Sequence, residues 1–182
     1  MADCDSVIHV INLHGDNLIG AEIGVEKGKS FCTLLQSCEN IKELHGIDSW
    51  QPYADYLGQP YGEPHYVVFP VEAEINKAIA QISVKHLNVA DKAQWHEMDS
   101  NQAAKLFPDE HFDFIFLDTY LTIEQIENDI NVWYPKVKKG GLFIGHDWDF
   151  EPLQEIIHRF RRQHNITNKL SCFDNTYLWI KQ

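Results

Sequence analysis

Leu18-Ile19-Gly20-Ala21-Glu22-Ile23-Gly24-Val25-Glu26-Lys27-Gly28-Lys29-Ser30-Phe31 decides the fold. Its first half is an apolar run that closes on an acid and reads as a buried strand. A turn with two glycines follows, and Phe31, Leu34, Leu35 and Cys38 then mark one face of a helix. Such a turn lets backbone approach a ligand at the carboxyl end of a strand, where open α/β sheets bind cofactors. The order Glu22-x-Gly24-x-x-x-Gly28 departs from the dinucleotide fingerprint G-x-G-x-x-G, which brings a helix N-terminus onto a pyrophosphate. An acid ahead of the first glycine is a poor neighbour for a pyrophosphate. It suits a ligand that carries positive charge.

Outward from this stretch, other apolar runs also end in acids. Lys42 to Asp48 is a short strand placed about twenty residues after Gly28, the spacing at which a carboxylate on the neighbouring strand meets ribose hydroxyls. Asp99 follows a third run, Asp118 ends Phe112 to Leu117, and Asp147 ends Gly141 to His146. Helix capping explains any one of them. Five in succession place carboxylates along one edge of one sheet.

Strands alternate with amphipathic segments, which predicts a doubly wound parallel sheet. Ile75, Ile79, Ile82 and His86 give one helical face toward the sheet. Ile123, Ile126, Ile130 and Trp133 give another, opened by Thr122 with Gln125 at capping-box spacing. Pro152 opens a third, with Leu153, Ile156, Ile157 and Phe160. Lys169 to Phe173 and Thr176 to Lys181 read as two strands around an Asp174-Asn175 hairpin turn. Residues 1–17 are expected to form a leading helix, within one domain over residues 1–182.

Composition excludes several classes. A formal net charge of -12 argues against a nucleic-acid surface, because neutralising phosphates takes clustered Lys and Arg. The basic run Arg159-Phe160-Arg161-Arg162 falls in the last turn of a predicted helix, where cations complement the dipole. No apolar run approaches membrane-spanning length, and the N-terminus shows no signal-peptide pattern. Cys4, Cys32, Cys38 and Cys172 have no metal-like spacing and are expected as buried thiols in a reducing compartment, the cytoplasm. Residues 50–70 carry Pro52, Pro60, Pro64 and Pro70 with Tyr53, Tyr56, Tyr61 and Tyr66. A connection this long and this aromatic is expected to be a lid or wall over the cofactor edge.

Taken together, these motifs resemble the class I S-adenosylmethionine-dependent methyltransferases, and more narrowly the small O-methyltransferase-like group related to macrocin methyltransferases. The resemblance is carried by Glu22-Ile23-Gly24-Val25 with Gly28 and Ser30, by Gly46-Ile47-Asp48-Ser49-Trp50, by Met98-Asp99-Ser100 and by Phe112 to Asp118. It continues through Trp133-Tyr134-Pro135 and Lys139-Gly140-Gly141 to Gly145-His146-Asp147-Trp148. It implies a Rossmann-like α/β fold: a mostly parallel seven-stranded sheet with an antiparallel C-terminal hairpin, in three α/β/α layers.

The resemblance also implies roles. Glu22, Gly24 and Gly28, with Ser30, would hold the methionine end of S-adenosylmethionine. Asp48, flanked by Ser49 and Trp50, would take the ribose hydroxyls. Asp99, beside Ser100, would accept from the adenine amino group, with Met98 or Trp50 packing the ring. Metal-using members place acids at the positions of Asp118, His146 and Asp147, so magnesium is a candidate second cofactor. Histidine in the middle is a weaker magnesium ligand. The residue three after the strand-end aspartate is often histidine in that group and is Leu121 here, which removes a base from that position. His146 is then the candidate general base, with Asp118 beside it.

The expected activity is O-methylation of a small molecule or a sugar hydroxyl, with no nucleic-acid or membrane partner and a homodimer permitted. The alternative is a methyltransferase-like module that holds cofactor or partner without turnover. A nicotinamide-dependent oxidoreductase comes third, weakened by the missing third-glycine pattern.

Overall fold

The computed structural model describes residues 4–55, 66–119 and 122–182. In chain order these form α1 (Asp5–Asn12), β1 (Leu18–Ile23), α2 (Lys29–Ser37), β2 (Ile41–Asp48), β3 (Tyr53–Asp55), β4 (Tyr66–Val68) and α3 (Pro70–His86). There follow β5 (Ala93–Glu97), α4 (Ser100–Ala103), β6 (Phe112–Leu117), α5 (Ile123–Trp133), β7 (Val137–Gly145), α6 (Glu151–Gln163), β8 (Ser171–Phe173) and β9 (Thr176–Ile180). Seven strands make one sheet in the order β5-β2-β1-β6-β7-β9-β8, and β3 pairs with β4 in a separate ribbon. The first five strands of that order run parallel, while β9 is antiparallel to β7 and to β8. The predicted doubly wound sheet with its terminal hairpin is the observed one.

Strand alternation divides the core into two layers. On one face α1, α2 and α3 cover Leu18, Phe114, Phe116 and Ile144 with Val7, Ile11, Phe31, Leu34, Leu35 and Val84. On the other, Ile126, Ile130 and Trp133 of α5 and Leu153, Ile156, Ile157 and Phe160 of α6 cover Ile115 and Phe143. The leading helix therefore has a place: Val7 and Ile11 close the end of the first layer. Asp174 and Asn175, both at positive φ (46 and 57), make the hairpin turn of the two-residue kind their identities suggested.

Two expectations are corrected, the face of α3 and the burial of Cys172. The isoleucine face of α3 points outward: Ile75, Ile79 and Ile82 are exposed, and Ala73, Asn76, Ala80 and Val84 face in. The cause is close packing, since a Cβ on Gly28 would come 2.9 Å from the Ala80 Cβ, so the α2–α3 contact admits only small residues. Arg161 and Arg162 do fall in the last turn of α6, as read, and Arg161 is moreover buried, with its guanidinium over the Trp179 ring and a hydrogen bond to the Asn168 carbonyl. Cys172 is exposed, whereas Cys4, Cys32 and Cys38 are buried as expected. Among the described residues, no helix is long and apolar enough to cross a membrane. Of the expected lid, residues 56–65 lie outside the described residues.

Candidate functional site

The sheet order reverses at β1, which has β2 on one side and β6 on the other. Open α/β sheets bind ligands at this switch, outside the carboxyl ends of the strands. Gly24, at φ +87, lets the chain leave β1 across the end of β6: a Cβ there would lie 2.0 Å from the Asp118 carbonyl oxygen. Gly28, at φ +74, is the N-cap of α2 and offers it no side chain.

Glu22 supplies what Gly28 lacks. Its Oε1 accepts from the Ser30 hydroxyl at 2.5 Å, and its carboxylate also accepts the Phe31 N–H, in the first turn of α2. A helix N-terminus favours an anion there. Burial nonetheless raises the Glu22 pKa well above the usual carboxylate range. The sequence places Glu22, Gly28 and Ser30 on the cofactor; the structure puts them beneath the turn, outside the cleft lining. Gly24 does line it.

Asp48, at the end of β2, is bound to the same turn. Its Oδ2 accepts the N–H groups of Val25 (2.9 Å) and Glu26 (2.8 Å), and its Oδ1 accepts that of Trp50 (2.7 Å). Trp50 returns the connection, donating its indole N–H to the Glu26 carbonyl at 2.8 Å. These bonds hold Glu26 and Trp50 at positive φ, 49 and 43, which ordinary residues adopt only under constraint.

The opposite wall is built on an acid the sequence reading passed over. Asp129, on α5, is fully buried and accepts from Ser100 (2.5 Å), Thr119 (2.9 Å) and Gln125 (2.9 Å). Ser100 in turn accepts the Trp133 indole N–H at 2.7 Å. One carboxylate thus ties together α4, the end of β6 and the start of α5, and burial raises its pKa. Its signal was faint, one acid among several polar residues in Gln125-Ile126-Glu127-Asn128-Asp129-Ile130, told apart only by its place three after Ile126 and one before Ile130. Asp99 is the N-cap of α4 as well as a cleft residue, its Oδ1 accepting from the N–H groups of Asn101 and Gln102.

Between these walls lies an open cleft of about 280 Å³. Ile23, Ile47, Met98, Trp50 and Tyr53 give it apolar surface, and Ser49, Asn76, Thr119 and Gln125 give it polar groups. Glu26, Asp48, Asp99 and Asp118 line it too, and among the described residues no Lys, Arg or His does. The buried Asn76 offers a further acceptor: its Oδ1 has no hydrogen-bond donor among the described residues. Sequence reasoning missed Asn76, whose face of α3 was not the one singled out.

Asp118 stands where the cleft meets a small adjoining crevice lined by Thr119, Asp129, His146, Asp147 and Tyr177. His146 Nδ1 lies 2.9 Å from Asp147 Oδ1 and 3.6 Å from Asp118 Oδ1. Ligand atoms of all three fall within 4.8 Å of one another. Burial pushes Asp118 up to about 6, with Asp147 and Glu26 adding to the rise and His146 opposing it. The Asp147 hydrogen bond raises the His146 pKa against the effect of burial. Asp147 sits at a φ of +62, in the left-handed region that Asp enters more readily than most residues. Leu121, which bears on the choice of base, lies outside the described residues.

A family model described as a methyltransferase domain matches residues 21–148, and the chain belongs to that family. None of the curated protein sequences compared with the chain matches it. Among solved structures, a Staphylococcus aureus protein provisionally named a caffeoyl-CoA O-methyltransferase superposes with a TM-score of 0.69 at 15% identity, over 98% of this chain and 82% of that one. The O-methyltransferase NovP gives 0.66 at 18% identity, over 97% and 79%. An O-methyltransferase from Bacillus cereus, solved in complex with SAH, gives 0.64 at 16% identity, over 97% and 79%. The resemblance drawn from the sequence therefore holds for family and for fold.

Proposed function

We propose that the protein is an S-adenosylmethionine-dependent O-methyltransferase acting on a hydroxyl of a small molecule or a sugar. The observation that carries the cofactor is the polarity of the cleft, with four carboxylates in its lining and no cationic side chain among the described residues. A dinucleotide brings a pyrophosphate, which this lining repels. S-adenosylmethionine brings an ammonium and a sulfonium, which it attracts. The cleft is close to the lower end of the usual range for small-ligand sites, about 300–1,000 Å³. Asn76, whose buried Oδ1 meets no donor among the described residues, lines the same cleft. Asp48 still has lone-pair capacity on Oδ1 for a ribose hydroxyl, and Met98 and Asp99, next to it at the end of the neighbouring strand, would meet the adenine.

The acceptor follows from the crevice. When bound, the cofactor supplies an electrophilic methyl group on sulfur. A hydroxyl is a poor nucleophile until its proton has somewhere to go. The Nδ1 of His146, held by Asp147, leaves Nε2 as the basic nitrogen, which would take the proton of an acceptor hydroxyl, while the cofactor would supply the methyl group and leave as the thioether. Thr119 borders both cleft and crevice and joins the two halves of the site.

A second reading has its own observation, the convergence of Asp118, His146 and Asp147 on one point. Two carboxylates and an imidazole suit a divalent cation with mixed oxygen and nitrogen preference better than magnesium. Such an ion would acidify a bound hydroxyl directly. Calorimetry with S-adenosylmethionine, S-adenosylhomocysteine and NAD tests the cofactor: binding of the first two and not the third is expected. Binding of NAD alone would sink the proposal.

A further inference from the structure

The turn between β8 and β9 stands beside the loop that carries His146 and Asp147. Strand β9 runs antiparallel to β7, with Gly145 paired to Tyr177, so the chain leaving β7 at the carboxyl edge passes the chain entering β9. The contact continues past that last pair: Trp148 donates its N–H to the Asn175 carbonyl at 3.0 Å. The Asn175 side chain then spans the loop. Its Oδ1 accepts the Asp149 N–H at 2.6 Å, and its Nδ2 donates at 3.5 Å to Asp147 Oδ1, the oxygen that faces His146 Nδ1 at 2.9 Å.

The needs of a hairpin turn explain only part of this. A two-residue turn asks for positive φ, which glycine meets at least as well as asparagine. What glycine cannot supply is the side chain, and here both ends of the amide go to the loop, on either side of Trp148. The turn is anchored in its own right, because the Ser6 hydroxyl of α1 donates to Asp174 Oδ2 at 2.7 Å. On its far side the loop is held by Gln154 of α6, whose Nε2 donates to the Trp148 carbonyl at 2.7 Å, and by the Phe150 N–H on the Asp147 carbonyl at 2.9 Å. Asp147 thus has its backbone tied toward α6 and its carboxylate met from the hairpin. Which nitrogen of a histidine carries the proton is set by the partner of the other, so the aim of that carboxylate decides the state of His146.

We propose that Asn175 is a positioning residue, which aims the Asp147 carboxylate at His146 Nδ1 and so keeps Nε2 the free nitrogen. The proposal rests on the reading of His146 as the base. Asn175 lines neither the cleft nor the crevice, so it acts only through the loop it grips. The C-terminal hairpin is then part of the frame of the acceptor side, whereas the cofactor side is framed by β1, β2 and their turn.

Imidazole nitrogen NMR of the isotope-labelled full chain, at alkaline pH with chelator present, reads the tautomer of neutral His146 and tests this. The wild type should show one tautomer, protonated on Nδ1. Asn175→Gly keeps the positive φ and the carbonyl that meets Trp148, so the thermal melt should move by a few degrees at most. Both tautomers should nevertheless appear, and the Asp149 amide should exchange on the order of tenfold faster. Asn175→Asp keeps an acceptor for the Asp149 N–H, and with it the slow exchange, but sets a carboxylate against Asp147. Its tautomers should therefore mix while the loop backbone stays protected. One unchanged tautomer in all three proteins overturns the proposal, and so does a wild type that already shows both. The spectrum needs neither cofactor nor acceptor, so it judges Asn175 separately from the methyl-transfer reading, which the calorimetry above judges.

Discussion

Asp48 Oδ2 accepts the backbone N–H of Glu26 at 2.8 Å, so the acid that ends β2 holds the turn that ends β1. The cleft floor is thereby fixed before any ligand arrives, and the residue proposed to meet the ribose also holds the turn. Asp48→Asn keeps the shape but can offer an acceptor to only one side, and its amide then meets the N–H of Val25 and Glu26 or that of Trp50 head-on. Each hydrogen bond to a charged group contributes roughly 1.5–3 kcal/mol. Equilibrium denaturation should show a loss of at least that order, together with weaker S-adenosylmethionine binding. If binding falls while stability stays at the wild-type value, the clamp is not structural and Asp48 acts on the ligand alone.

Asp129 makes a sharper case, because it touches the site only through others. Asp129→Asn must present an amide donor to at least one of Ser100, Thr119 or Gln125, all of which donate to it now. Leaving a buried group unsatisfied costs roughly 1–3 kcal/mol. Stability is expected to drop by about that much, and kcat should fall more than ligand affinity, since Thr119 also borders the crevice that holds His146. Equal losses in kcat and in cofactor affinity would mean that the wall collapses as a whole and positions nothing in particular.

The parts of the molecule that were legible in the sequence are those where one physical rule dominates. Alternating apolar strands and helices fixed the sheet, and the Asp174-Asn175 turn announced itself because few residues tolerate two successive positive φ values. The α3 face was misread because periodicity reports that a stripe exists, not which side of the helix the chain buries. The deciding fact was the close approach of Gly28 to Ala80, a tertiary contact. Strand-end acids were found, but their partners were not: a carboxylate that accepts backbone N–H groups, as Asp48 does, looks in sequence like one waiting for a ligand. Asp129 and Asn76 escaped because a single polar residue on an inward helical face has no local pattern.

Stability should depend on pH through His45. This residue is buried among Phe107, Phe112 and His96, with its Nδ1 2.9 Å from His96 Nε2 and its Nε2 2.9 Å from Glu43 Oε1. Burial lowers its pKa to about 4, with Glu43 opposing and His96 and His111 adding. An unfolded histidine takes up its proton near pH of about 6.5. Between those values the unfolded chain binds more protons, so stability is full above about 6.5 and is lost as pH falls toward about 4. Asp118, raised to about 6, acts in the opposite direction, gaining stability as the pH falls through that value. The measurement is therefore a difference: melting temperature against pH for the wild type and for His45→Gln. The wild-type curve should fall more steeply on the acid side. Parallel curves would remove His45 from the account.

The choice between base and metal turns on His146. With Asp147 holding Nδ1, the imidazole is oriented and its pKa raised, which is what a base needs to strip a hydroxyl as the methyl group arrives. General-base catalysis contributes typically about 10²–10⁴-fold. His146→Ala is expected to lower kcat by that order with little change in S-adenosylmethionine affinity, because His146 does not line the cofactor cleft. Activity should rise with pH along an acid limb set by the imidazole. Asp147→Asn, by removing the hydrogen bond that raises the His146 pKa, should move that limb to lower pH. Chelator should leave the rate unchanged. If chelator abolishes activity and a divalent cation restores it, the convergence of Asp118, His146 and Asp147 is a metal site and the base reading is wrong. Chelator-resistant activity that also survives His146→Ala would sink both, and the acceptor would then need to be a group already nucleophilic at neutral pH, such as an amine, and not a hydroxyl.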